Sequence, residues 1–155
     1  MATREEHEAG LAMFVTAARR DRFRDSLQNP RMREKLRREL AHYEHRLDPR
    51  FATLHDQSTK HDAHEVEVHR LLLNAGAPAT CFVLTDERAS DQGELPLRAA
   101  VEQLMWVGAG FLSCIPGRLG IYVSERNLSS RLRRRVGLFS VRPPRARRAG
   151  SRRAG

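Results

Sequence analysis

Lysine is almost missing from this chain: of its 28 basic residues, only Lys35 and Lys60 are not arginine. A guanine- and cytosine-rich coding sequence biases codons toward arginine, so the excess does not by itself indicate phosphate binding. Cysteine is scarce as well. Cys81 and Cys114 are too few for a disulfide scaffold, which points to a reducing compartment. Long apolar runs are lacking too: Leu104–Gly117 carries no charge but falls short of the roughly 18 residues a membrane span needs. The opening Arg4, Glu5 and Glu6 have no apolar signal core behind them. These absences lead us to expect a cytoplasmic protein without a membrane partner. No glycine loop with either standard phosphate-cradling spacing is present, and no GxSxG or His-Glu-x-x-His. The chemistries those motifs carry are therefore not expected.

Charge is unevenly placed. Arg131 to Gly155 contains ten arginines and no acid, so the preceding residues hold 18 basic against 19 acidic side chains. The extreme pI belongs to the tail, and the body is nearly neutral. The tail has few large apolar residues (Val136, Leu138, Phe139, Val141), a Pro143-Pro144 pair and a small-residue end. We expect residues 1–126 to form one domain and residues 127–155 a disordered arginine-rich tail. Arg133, Arg134 and Arg135 would attract nucleic acid there without sequence preference. A shifted reading frame would give the same composition.

The densest apolar stretch is Gly76–Glu125. Ala79–Leu84 reads as a buried strand, Leu97–Val107 as a helix introduced by Pro96, and Phe111–Ile115 and Leu119–Val123 as two further strands. In the last, Leu119, Ile121 and Val123 share a face and Tyr122 takes the other. Ile115-Pro116-Gly117-Arg118 fits a type II turn. That twist opposes a two-residue hairpin, so a wider connection with partly free N–H groups is expected. Upstream, Glu5–Leu27 reads as helix with Ala9, Met13, Phe14 and Ala17 inward. Asn29-Pro30 starts a second helix, with Met32, Leu36, Leu40, Tyr43 and Leu47 as its buried stripe. A third starts near Thr59–Asp62 and buries Val68, Leu71, Leu72 and Ala75, with His61 and His64 extending that stripe. The expected fold is α/β (α+β), with N-terminal helices packed on a small sheet in the order α-α-α-β-α-β-β.

Candidate sites follow from that order. Asp86, Glu87, Asp91 and Glu94 form an acidic connection after the first strand. Ser113 and Cys114 end the second. If those strands are parallel, both connections lie at one edge, where open α/β sheets bind ligands. A crossover through Leu97–Val107 would then be right-handed. Cys81 and Cys114 would stand roughly 10 Å apart at about 3.3 Å per residue, beyond disulfide reach. Cys114 is a weak nucleophile candidate because no base lies near it in sequence. His55, His61, His64 and His69 show no metal-ligand spacing, so neither a metal nor a cofactor is expected.

Leu47-Asp48-Pro49-Arg50-Phe51-Ala52, Gly76-Ala77-Pro78 with Thr80-Cys81-Phe82-Val83-Leu84, Glu94-Leu95, Glu102, Leu112-Ser113-Cys114-Ile115-Pro116-Gly117-Arg118-Leu119 and Tyr122 together resemble a widespread family of uncharacterised bacterial proteins. The resemblance runs from about the second helix to Glu125; the arginine tail departs from it. It implies no activity, and it directs attention to Asp91, Glu94, Ser113, Cys114, Pro116, Gly117 and Arg118. The expected function is a binding or regulatory module for a small ligand or protein partner. Its ligand-binding cleft would use Asp91, Glu94, Ser113, Gly117 and Arg118. Nonspecific nucleic-acid binding through the tail and a small enzyme using Cys114 are the alternatives.

Overall fold

The computed structural model describes residues 2–56, 61–86, 93–107, 109–124 and 135–140. Its elements in chain order are α1 (Arg4–Ala12), α2 (Arg20–Gln28), α3 (Pro30–Leu40), β1 (Ala52–Asp56), α4 (His61–Asn74), β2 (Thr80–Thr85), β3 (Gly93–Pro96), α5 (Leu97–Val107), β4 (Gly110–Ile115), β5 (Leu119–Val123) and β6 (Arg135–Ser140). The fold is mixed α and β, as expected, with N-terminal helices packed on a sheet. The sheet is larger than expected. Its six strands lie in the order β1-β6-β5-β4-β2-β3, and every neighbouring pair is antiparallel.

Local chemistry accounts for the helix starts. Thr3 caps α1 in a reciprocal capping box with Glu6, satisfying two backbone donors that a helix start leaves open. Asn29 caps α3, its side chain accepting from the N–H groups of Arg31 and Met32, with Pro30 in the first turn. The single helix expected over Glu5–Leu27 is instead two. The chain leaves α1 at Met13 and forms an antiparallel bridge from Val15 to Leu47. Asp48 N–H donates to Phe14 O and Thr16 N–H to Arg46 O. Those bonds tie the α1–α2 linker to the segment before β1, and long-range pairing overrides the helical pattern.

Side-chain alternation sorts the core into two layers. Phe82, Leu84, Phe111, Tyr122 and Phe139 face α1–α3 and pack with Leu11, Phe14, Phe23, Leu36, Leu40, Tyr43 and Leu47. Val83, Leu112, Leu119, Ile121 and Val123 face the other way, against Val68 and Leu72 of α4 and Leu97, Val101 and Leu104 of α5. Tyr122 does oppose Leu119, Ile121 and Val123, as its place in the strand predicts. Its hydroxyl donates to Leu40 O at 2.6 Å and accepts from Tyr43 N–H at 3.0 Å. This closes the carboxyl end of α3, whose last carbonyls have no partner within the helix.

The disordered tail expected over residues 127–155 is corrected at Arg135–Ser140. That segment is β6, hydrogen-bonded between β5 and β1, with Phe139 fully buried. Too few apolar residues to fold alone are still enough for a strand supplied with a neighbour on each side. Leu138 joins one layer and Phe139 the other. Residues 125–134 and 141–155 lie outside the described residues, and Arg133 and Arg134 with them. Arg135 opens β6 opposite Asp56 of β1, so its backbone belongs to the sheet.

Candidate functional site

One row of the sheet organises the face under α1. Register places Ala52, Phe139, Gly120, Ser113, Phe82 and Glu94 side by side across all six strands. The helix α1 lies over this row and presents His7, Gly10 and Leu11, with Phe14 just beyond its end. That i, i+3, i+4, i+7 spacing defines one helix face. Phe14 stacks on Phe139 with ring centroids 4.2 Å apart and packs over Gly120. His7 stacks on Phe82 at 5.8 Å, and its Nδ1 shares a 2.8 Å hydrogen bond with Ser113 Oγ. Gly10 rests directly on the Pro116–Gly117 backbone, where no side chain would fit.

Serine and histidine therefore meet, with the Glu94 carboxylate in the same row beyond Phe82. Glu94 acts on His7 through its charge and accepts a 2.7 Å bond from Thr80 Oγ1. Burial pushes the His7 imidazole below its ordinary pKa, while Glu94 and Glu6 pull the other way. A base next to a serine suggests acyl transfer, yet Ser113 is 0% exposed and His7 only 7%. A nucleophile must reach a substrate atom at about 3–3.5 Å, and this hydroxyl is covered by α1. In this packing the pair stitches helix to sheet.

The acidic connection does not meet the bend at Asp86. Because β2 and β4 run antiparallel, Asp86 lies at one end of the sheet and the Ser113–Arg118 bend at the other. Asp86 closes its end locally: its N–H donates to Ala109 O and its Oδ1 accepts from Ala109 N–H. The strand β3 then returns, and this brings Glu94 into the Ser113 row. Asp91 and Glu87 lie outside the described residues. The bend has Gly117 at φ +67° and an Arg118 N–H bond to Ile115 O, as a type II turn requires. It is wider than two residues, since Ile115 pairs with Leu119 across Pro116, Gly117 and Arg118. Its inner side is covered by Gly10, and Arg118 is exposed outside.

Antiparallel pairing also revises the cysteines. Rather than standing at opposite ends, Cys81 and Cys114 meet on the face turned to α4 and α5. Both are free and buried. A hydrogen bond to Cys81, reinforced by burial, pushes the Cys114 thiol far up. A thiolate nucleophile needs the opposite shift. Cys114 is held as a neutral core thiol.

A mostly apolar concavity lies elsewhere. A groove of about 420 Å³ is lined by His69 and Leu73 of α4, the Ala77–Ala79 connection, Pro96, and Leu97 and Arg98 of α5. A smaller hollow of about 100 Å³ continues it past Glu65, Val66 and Val101, with His69 and Arg98 shared between the two. Leu73 and Val66, two of the few large apolar residues left exposed, are at 50% and 64%. Val68 and Leu72 take the opposite side of α4 into the core, so the helix carries a second apolar stripe over Val66 and Leu73. The expected burial of Ala75 is not seen, and Leu71 is half-buried.

No family model, curated protein or solved structure matches this chain. Among the described residues, no group of three or more His, Cys, Asp or Glu side chains is placed to hold a metal ion, and no helix is long and apolar enough to cross a membrane. The side chains of His55, His61 and His64 lie outside the described residues. His69 is described, at the groove wall.

Two residues central to these sites were missed in the sequence. His7 was legible as part of the His7-Gly10-Leu11-Phe14 stripe. The expected inward residues Ala9, Met13 and Ala17 are instead exposed. Arg98 carried no signal, because its importance depends on α4 lying beside α5.

Proposed function

We propose that this chain is a binding module that takes the apolar body of a ligand into the groove between α4, the Ala77–Ala79 connection and the start of α5. One observation carries the reading: a mostly apolar concavity of about 420 Å³ stays open beside two polar side chains. That volume lies within the roughly 300–1,000 Å³ typical of ligand pockets, which pair apolar walls with a few polar groups. The burial of Ser113 and Cys114 favours binding over covalent catalysis. Part of the wall comes from the Gly76-Ala77-Pro78 run that carries the family resemblance.

A neutral apolar probe tests this reading. Titration with decanol, followed by two-dimensional amide NMR, is expected to move the Leu73, Ala77, Ala79 and Leu97 resonances together. The Leu73→Asp variant, folded by its unchanged spectrum elsewhere, is expected to lose the response. Decanol shifts confined to other surfaces, or unaffected by Leu73→Asp, would remove the groove from the proposal.

A further inference from the structure

Resting on that reading of the groove, we infer that its occupant is an amphipathic monoanion: an acyl or aryl carboxylate whose head meets Arg98 and whose body lies along Leu73, Ala77, Pro78 and Leu97. The lining of the larger hollow is one-sided in charge. Among the described residues it holds Arg98 and His69 and no carboxylate, so an anionic head placed at Arg98 competes only with Glu102, which reaches that guanidinium from its own helix. Glu65 enters only in the smaller hollow, on the far side of the two shared residues. A head placed at the Ala79–Pro96 end keeps away from it.

Arg98 is available to such a head. Its one ion pair among the described residues is Nε to Glu102 Oε1 at 3.4 Å, with the two side chains 77% and 47% exposed. Exposed pairs of this kind contribute little, about 0.3–0.5 kcal/mol at i, i+4 spacing on a helix. A ligand carboxylate offering two acceptors to the planar guanidinium makes the stronger bidentate contact. Glu102 is then released to solvent at small cost. A cationic ligand finds no carboxylate among the described residues of the larger hollow, and a neutral one gains only the apolar term.

Three probes of equal chain length separate the charge of the ligand from the existence of the groove: decanoate, decanol and decyltrimethylammonium. Each is titrated below its aggregation concentration against wild type, Arg98→Gln and Leu73→Asp, with amide NMR as the readout. Decanoate is expected to bind wild type about threefold more tightly than decanol, as an exposed ion pair allows, and decyltrimethylammonium more weakly than either. Arg98→Gln is expected to bring decanoate to the decanol level while leaving decanol unchanged. Equal binding of decanoate and decanol, or retained decanoate preference in Arg98→Gln, overturns the anionic assignment and leaves the groove intact. Absence of groove shifts with all three overturns both.

Discussion

The two faces of one sheet differ in how they are closed. Under α1–α3 the layer is aromatic and joined by hydrogen bonds between residues far apart in the chain: His7 with Ser113, and Tyr122 with Leu40 and Tyr43. The helix also touches backbone at Gly10, so the layer has no slack there. Under α4 and α5 the layer is aliphatic with a thiol pair, and the helices leave a hollow at their edge. The same strands supply both faces. One face is thus joined by side-chain hydrogen bonds and aromatic stacking, while the other keeps Val66 and Leu73 exposed beside a filled core.

The comparison breaks most severely at Gly10. A Cβ there would collide with Gly117 N and lie 2.8 Å from Pro116 C; both are backbone atoms that a rotamer change cannot move. Gly10→Val is expected to destabilise by at least the 1–3 kcal/mol or so of core overpacking, seen as a lower midpoint in chemical denaturation. A midpoint equal to wild type would mean that α1 does not sit on the bend.

Next comes Tyr122→Phe. It deletes the hydroxyl that serves Leu40 O and Tyr43 N–H and leaves both buried groups without that partner. The expected loss is about 1–3 kcal/mol in the same assay. A neutral substitution would show that water replaces the hydroxyl, and that this face is less dry than it looks.

Acid should act on the sealed face through His7. Its imidazole is held below 6.5 by burial, against the pull of Glu94 and Glu6. Between the folded and unfolded values the unfolded chain binds more protons, so stability falls as pH drops. The penalty is absent well above pH 6.5, grows below it, and is complete once pH passes the folded value. His7→Phe is expected to flatten this part of the stability profile relative to wild type. An identical slope in the variant assigns the acid sensitivity to other groups.

The smallest effect is expected on the open face. Leu73→Asp alters a half-exposed side chain and should change stability by no more than about 0.5 kcal/mol, although it removes the probe response. A loss of several kcal/mol would instead make the groove part of the core.

The local pattern was legible where chemistry is local. Asn29-Pro30 marked the start of α3, and Pro116-Gly117 marked the bend. Alternation in Leu119–Val123 separated Tyr122 from its neighbours. Partnership was not legible. The strand β3 has four residues, one of them proline, and is a strand because Thr80–Val83 offers an edge to pair with. The segment β6 sits in an arginine-rich stretch and is recruited by β5 and β1. Of the site residues, Ser113 and Glu94 were expected to be united by a parallel sheet; an antiparallel return instead places them in one row with Phe82 between them. The stripe His7-Gly10-Leu11-Phe14 marks His7 as inward-facing, but nothing local names its partner 106 residues away.

What the amino-acid order determined by itself is the set of turns, caps and alternations, since each depends on the backbone preferences of a few adjacent residues. Only the tertiary structure decided strand direction. Direction in turn decided which groups meet: the thiols as a pair, Ser113 with His7, and Asp86 away from the bend. The reason is that strand pairing is a contest among long-range partners of similar hydrogen-bonding strength. Burial on both faces settles it, and no short stretch of the chain contains that information.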